Sequence, residues 1–147
     1  MPDKRLAGGV PGADILSRNI IWRPKSELAL VAVENGELIG HIMLTRTCIA
    51  RGDDKAETLF LGPISVALAH RNRGTGSSLI RESFKLAKEM GYRSVVLIGD
   101  PAYCHRFGFK AASNFGIKHI HDIPDENVMA CELVPDALQG ISGTFDC

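Results

Sequence analysis

Polar and apolar positions along this chain follow two periods. "LALVAVE" (28–34) is a nearly unbroken apolar run and predicts a buried strand. Asn35-Gly36 follows, a pair that tolerates positive φ at both central positions of a tight hairpin. "ELIGHIMLTRTCIA" (37–50) reads as the returning strand, long enough to need a twist or bulge near Gly40. The polar run "RGDDKAE" (51–57) predicts a loop, and "TLFLGPISVA" (58–67) a third strand. Pro63 has no N–H to give a ladder, so this strand needs a bulge or a partnerless edge there.

The period then changes. In "TGSSLIRESFKLAKEM" (75–90), Leu79, Ser83, Leu86 and Met90 recur at helical spacing, with Ile80, Phe84 and Ala87 widening the stripe. Gly91 suits the C′ stop. "RSVVLIG" (93–99) predicts a strand covered on both faces. Asp100 as N-cap and Pro101 at the first helical position predict a short helix. Residues 108–118 and 127–134 read as two more strands, and 135–140 as a capped helical turn. Residues 1–25 carry Gly8, Gly9, Pro11, Gly12 and Pro24 and form a weakly patterned lead segment, within which "ILSRNIIW" fits either a helix or a strand. The expected organisation is that lead followed by one domain over 26–147. Strand, turn, helix and strand between 58 and 99 make a βαβ unit inside a sheet otherwise linked by hairpins.

Composition narrows the function classes. The chain has 147 residues, 45% apolar and 23% charged, with 17 basic against 17 acidic side chains. A zero formal net charge argues against non-specific binding to nucleic acid or a membrane surface. No apolar run approaches the roughly 18 residues of a spanning helix, and the N-terminus lacks a secretion signal's apolar segment. Cys48, Cys104, Cys131 and Cys147 form no C-x-x-C pair, so reduced thiols in a cytoplasm are expected. "HIH" (119–121) with Asp122 puts two histidines on one strand face, too few for a metal site. His41 and Glu57 read as strand-face residues.

"RNRGTG" (71–76) carries the chemistry. A helix N-terminus offers unpaired N–H groups and partial positive charge. Gly74 and Gly76 let a ligand approach the backbone, and Arg71 and Arg73 add charge. The spacing matches neither a dinucleotide fingerprint nor a P-loop. Taken alone it is either a plain connection or an anion cradle. The broken ladder at Pro63 adds main-chain groups with which an extended, amide-bearing ligand could pair as an added strand does.

"ISVALAHRNRGTGSSLI" resembles motif A of the GCN5-related N-acetyltransferase (GNAT) family, V-x-x-x-x-[RQ]-x-x-G-x-[GA], through Val66, Arg71, Gly74 and Gly76. "GDPAYCHRFGF" resembles a run typical of its YhbS-like branch, and the resemblance spans about residues 28–145. It implies an α/β (α+β) GNAT fold: a mixed, mostly antiparallel sheet with a central βαβ unit, flanking helices and an abbreviated N-terminal strand and helices. It implies acetyl-CoA as co-substrate, without a metal, and an amine acceptor, small molecule or protein. Main-chain groups of Arg71, Asn72, Arg73, Gly74, Thr75, Gly76 and Ser77 would hold the pyrophosphate. Ile64, Ser65 and Val66 would hold the pantetheine arm and polarise the thioester. Tyr103 or Cys104 would protonate the departing thiolate, unless water does, and Arg106 would reach a cofactor phosphate or pair with a surface carboxylate.

The reaction implied is direct attack in a ternary complex. A lysine-like amine is about 99.9% protonated at pH 7, so a base or a water path is required; His105 is one candidate. The chain departs from the family at the usual tyrosine position, which is Cys104 here, with Tyr103 one residue earlier. Consecutive helical side chains point about 100° apart, so only one can face the sulfur. With a short lead segment, the acceptor side is either reduced or completed by a second copy of the chain. These departures motivate two competing readings, a non-catalytic acyl-CoA-binding or regulatory module and a pure interaction partner.

Overall fold

The computed structural model describes residues 4–6, 14–17, 26–67, 74–121 and 123–146. Arg71, Asn72, Arg73, Asp122 and Cys147 lie outside the described residues. The chain forms two compact units, Met1–Thr45 with Leu61–Ala87 and Arg46–Phe60 with Lys88–Cys147.

In the first unit, β1 (Lys4–Leu6) pairs antiparallel with β2 (Asp14–Ser17), and β2 with β3 (Ser26–Glu34). So "ILSRNIIW" opens as strand, and two strands fall within the lead segment. β3 and β4 (Glu37–Arg51) form the predicted hairpin. Asn35 and Gly36 take φ of 53° and 78°, the left-handed pair a two-residue hairpin requires. The register slips between Ala32↔Gly40 and Val33↔Leu38, which is the bulge expected near Gly40. β5 (Asp54–Val66) lies beside β4 in the sheet order, and Ala67 N–H donates to Ile39 O at 2.7 Å. Helix α1 (Thr75–Glu89) buries Thr75, Leu79, Ile80, Ser83 and Ala87. Met90, placed on that stripe by spacing, is instead exposed, because it lies just past the last helical turn.

In the second unit, β5 pairs in parallel with β6 (Ser94–Ile98), as a βαβ unit demands. β6 pairs antiparallel with β9 (Val128–Glu132), which also takes β7 (Lys110–Ala111). β10 (Gly143–Phe145) runs parallel to β8 (Ile117–His119) and meets β4 at Thr144↔Ala50. The sheet is therefore mixed and mostly antiparallel, as expected. Ser94 through Leu97 are buried, matching a strand covered on both faces. Ile49, Val96, Ile117, Val128, Leu138 and Phe145 anchor the apolar core of this unit.

Three expectations are corrected. The loop at 51–57 is a two-residue turn, Gly52-Asp53, between β4 and β5. Its charged neighbours sit on exposed strand ends, where polarity no longer separates strand from loop. The single strand at 108–118 is β7, a 3-10 turn over Ala112–Phe115, and β8. Gly108 (φ 90°) and Gly116 (φ 75°) stop the turns on either side. Residues 135–140 form turns rather than helix.

Candidate active site

The first unit holds the proposed cradle. β5 shows two rungs with β6, Leu59↔Val95 and Phe60↔Val96, and among the described residues none follows. Pro63 contributes no donor beyond them. The Ala67–Ile39 bond turns one edge of β5 toward β4. Antiparallel alternation then turns main-chain groups of Ile64 and Val66 to the other edge. Ile64 and Val66 are half-buried and Ser65 is exposed.

Gly74 has φ 82°, a left-handed geometry that glycine adopts freely, and its carbonyl receives the Ser78 N–H at 3.0 Å. That bond closes the first helical turn. By helix geometry, the N–H groups of Thr75, Gly76 and Ser77 have no acceptor within the helix. The first turn carries no acidic side chain to neutralise them. Thr75 Oγ1 is buried and has no hydrogen-bond partner among the described residues. A left-handed glycine and a first helical turn without a carboxylate favour an anion over a cation.

Gly40 is a site residue that spacing did not reveal. A methyl group on it would lie 3.1 Å from Leu79 Cδ1, 3.3 Å from Ser65 O and 3.3 Å from Thr75 Cγ2. The bulge therefore brings β4 against both halves of the cradle, β5 and the start of α1.

The second unit holds the residues read as proton donors. α2 (Pro101–Cys104) is capped as predicted, with Ala102 N–H donating to Asp100 Oδ1 at 3.0 Å. A 3-10 turn, His105–Phe107, continues it. Tyr103 is 36% exposed and Cys104 7%. Burial raises the Cys104 thiol above its ordinary value, and the Asp100 carboxylate adds to the rise. At neutral pH Cys104 therefore stays a neutral thiol, a proton holder but a weaker acid than a free one. His105 is exposed.

Arg106, assigned to a cofactor phosphate or a surface carboxylate by sequence, lies with its guanidinium carbon 4.3 Å from the Tyr103 ring centroid. Its Nε also donates to Tyr103 O at 3.3 Å. The i, i+3 spacing was the available signal for this contact. The histidine pair is local structure. His121 N–H donates to His119 Nδ1 at 3.0 Å, and the His119 ring meets Phe145 edge-on at 5.1 Å. Among the described residues no group of three or more His, Cys, Asp or Glu side chains could hold a metal.

Comparison with known proteins identifies the family. Residues 17–112 match the model of the acetyltransferase (GNAT) domain. The chain is 30% identical over 120 residues to the uncharacterized N-acetyltransferase YhbS of Escherichia coli, covering 81% of this chain and 71% of that protein. The crystal structure of E. coli YhbS in complex with CoA superposes with a TM-score of 0.79 at 27% identity, over 84% of this chain and 68% of that one. A GNAT family acetyltransferase from Brucella melitensis, in complex with acetyl-CoA, is 34% identical with a TM-score of 0.58, over 74% of this chain and 59% of that one. With residues 17–112 matching the domain model and a relative 30% identical over 81% of the chain, the chain belongs to the GNAT family of N-acetyltransferases.

Proposed function

We propose that this protein binds acetyl-CoA and transfers the acetyl group to an amine by direct attack in a ternary complex. The observation that carries the reading is the start of α1, where Gly74 is left-handed, the amides of Thr75, Gly76 and Ser77 fall in the first helical turn, and that turn holds no acidic side chain. Those amides, with Arg71, Asn72 and Arg73, hold the pyrophosphate. Main-chain groups of Ile64 and Val66 pair with the pantetheine arm, while Ser65 between them faces β4, and an N–H near Val66 stabilises the developing oxyanion. The amine nitrogen forms a bond to the thioester carbon, the C–S bond breaks, and its electron pair stays on sulfur. The nitrogen loses its proton to solvent or a base. The thiolate takes one from the Tyr103 phenol, with the Cys104 thiol or water as the alternative donor.

Residues 26–147 act as one acetyltransferase domain, with 1–25 as its lead segment. Cysteines without a C-x-x-C pair support a cytoplasmic location, and a second copy could complete the acceptor side. The acceptor is a small-molecule or protein amine.

Titration calorimetry with acetyl-CoA tests the reading. Wild type should show saturable binding, and Gly74→Asp should abolish it, because a carboxylate would face the pyrophosphate. Equal binding by both proteins would remove the cradle. A non-catalytic acyl-CoA-binding module is the second reading, favoured by the buried Cys104 at the position the family gives to tyrosine. It predicts CoA binding with no thiol release across a broad amine panel.

A further inference from the structure

We infer that Arg106 is a positioning residue that holds the Tyr103 ring in one orientation, rather than a contact to the cofactor. This rests on the reading of Tyr103 as the thiolate's proton donor.

Tyr103 sits on a four-residue helix and is exposed. Nothing about so short an exposed element freezes an aromatic rotamer. Contacts from Arg106 and Phe107 favour one here. The Arg106 guanidinium carbon lies 4.3 Å from the ring centroid, within cation–π range. Arg106 is itself tied down by its Nε–H bond to the Tyr103 carbonyl at 3.3 Å. The Phe107 ring meets Tyr103 nearly edge-on, with centroids 5.4 Å apart and planes at 61°. The guanidinium also lies 5.5 Å from the Phe107 centroid, so one cation engages both rings.

The consequence is geometric. With a cation on one face and a ring edge against it, Tyr103 has one favoured χ1 and χ2, and its hydroxyl one favoured direction. A proton donor delivers only from the rotamer that points at its acceptor. An exposed cation–π contact biases that rotamer about two- to five-fold over its competitors. The same engagement draws the guanidinium to the ring, and a phosphate would have to win it away from two aromatic faces.

The experiment is a kinetic double-mutant cycle on Arg106→Met and Tyr103→Phe in the full chain, with acetyl-CoA affinity measured alongside. Arg106→Met should lower kcat about 1.5- to two-fold, the population change such a bias makes among three χ1 wells, with the Kd for acetyl-CoA unchanged. In the Tyr103→Phe background the same substitution should add no loss, because there is no hydroxyl left to aim. Arg106→Lys should recover part of kcat, since a cation returns above the ring without the Nε bond. Thermal melting of each variant confirms an intact fold, which an exposed side chain leaves undisturbed.

A raised Kd for acetyl-CoA in Arg106→Met at constant kcat, lost when 3′-dephospho-CoA replaces CoA, would make Arg106 a phosphate contact and overturn the inference. So would additive losses in the double variant, or a Tyr103→Phe variant with wild-type kcat. Failure of the wild type to bind acetyl-CoA is a separate outcome, which removes the functional reading itself.

Discussion

Gly40→Ala is the sharpest structural probe of the cradle, because it adds one carbon where three groups converge. Gly40 does not need positive φ, so alanine meets no backbone strain of its own. Losing the extra freedom of glycine in the unfolded chain favours alanine by about 0.4–1 kcal/mol. The new methyl opposes this. It meets Leu79 Cδ1 at 3.1 Å, Ser65 O at 3.3 Å and Thr75 Cγ2 at 3.3 Å. Leu79 is fully buried and Thr75 is 2% exposed, so neither has room to retreat. Ser65 O is main chain. Overpacking of this kind costs about 1–3 kcal/mol. The net expectation is a loss of about 1–2 kcal/mol, a melting temperature lower by about 2–8 °C. Relief by small shifts moves Ser65 and Thr75 together. The Kd for CoA should therefore rise about three- to ten-fold, the equivalent of roughly one hydrogen bond. Differential scanning calorimetry and CoA titration read the two effects. A variant that melts and binds like wild type would show that these neighbours yield freely, and the tight bulge would lose its role.

Other positions make separate demands. Gly143→Ala should cost more than about 3 kcal/mol, seen as a collapsed urea midpoint. The reason is that φ is 137° and the new methyl strikes the Ala50 carbonyl; a normal midpoint refutes it. Thr58 and Ser94 share a buried 2.8 Å hydroxyl bond, so Thr58→Val should cost about 1–3 kcal/mol while Thr58→Val with Ser94→Ala costs nearly nothing. Equal melting of single and double variants would deny that the bond matters. Burial, and then the Glu132 carboxylate, pushes the Cys131 thiol from 9.0 up to about 11. The folded state thus holds this proton more tightly than the unfolded one. The associated stability, on the order of 1–3 kcal/mol, is complete below about pH 9 and fades as pH climbs through 11. Cys131→Val should flatten that slope between ~pH 8 and ~pH 11 in urea unfolding; an unchanged slope refutes it.

What could be read from the chain alone follows the range of the forces involved. The Asn35-Gly36 turn, the Gly40 bulge and the Asp100 cap are set by neighbours a few residues away, and they were legible. So was the parallel pairing of β5 with β6, because an amphipathic run between two apolar ones leaves few topologies. The β4–β5 hairpin tip was not, since Arg51 and Asp54 cover neither face of a core and their charge mimics a loop. β10 was missed because it is three residues long and held by β8 and β4, both distant in sequence. In the site, Gly74 and Gly76 were visible because a main-chain cradle demands glycine. The Gly40 contacts and the Arg106–Tyr103 stack depend on side chains meeting in space, and spacing gave only the second a hint. The first unit's short strands β1 and β2 carry too few apolar residues for any period to register.

The bare start of α1 has a practical consequence at the bench. Acidic side chains near a helix start quiet its positive end, and the first turn of this helix has none. Under the function proposed above, inorganic phosphate and sulfate are small enough to settle on the same turn. A buffer containing either would then compete with CoA, weakening its apparent affinity while making the protein look sturdier in a melt.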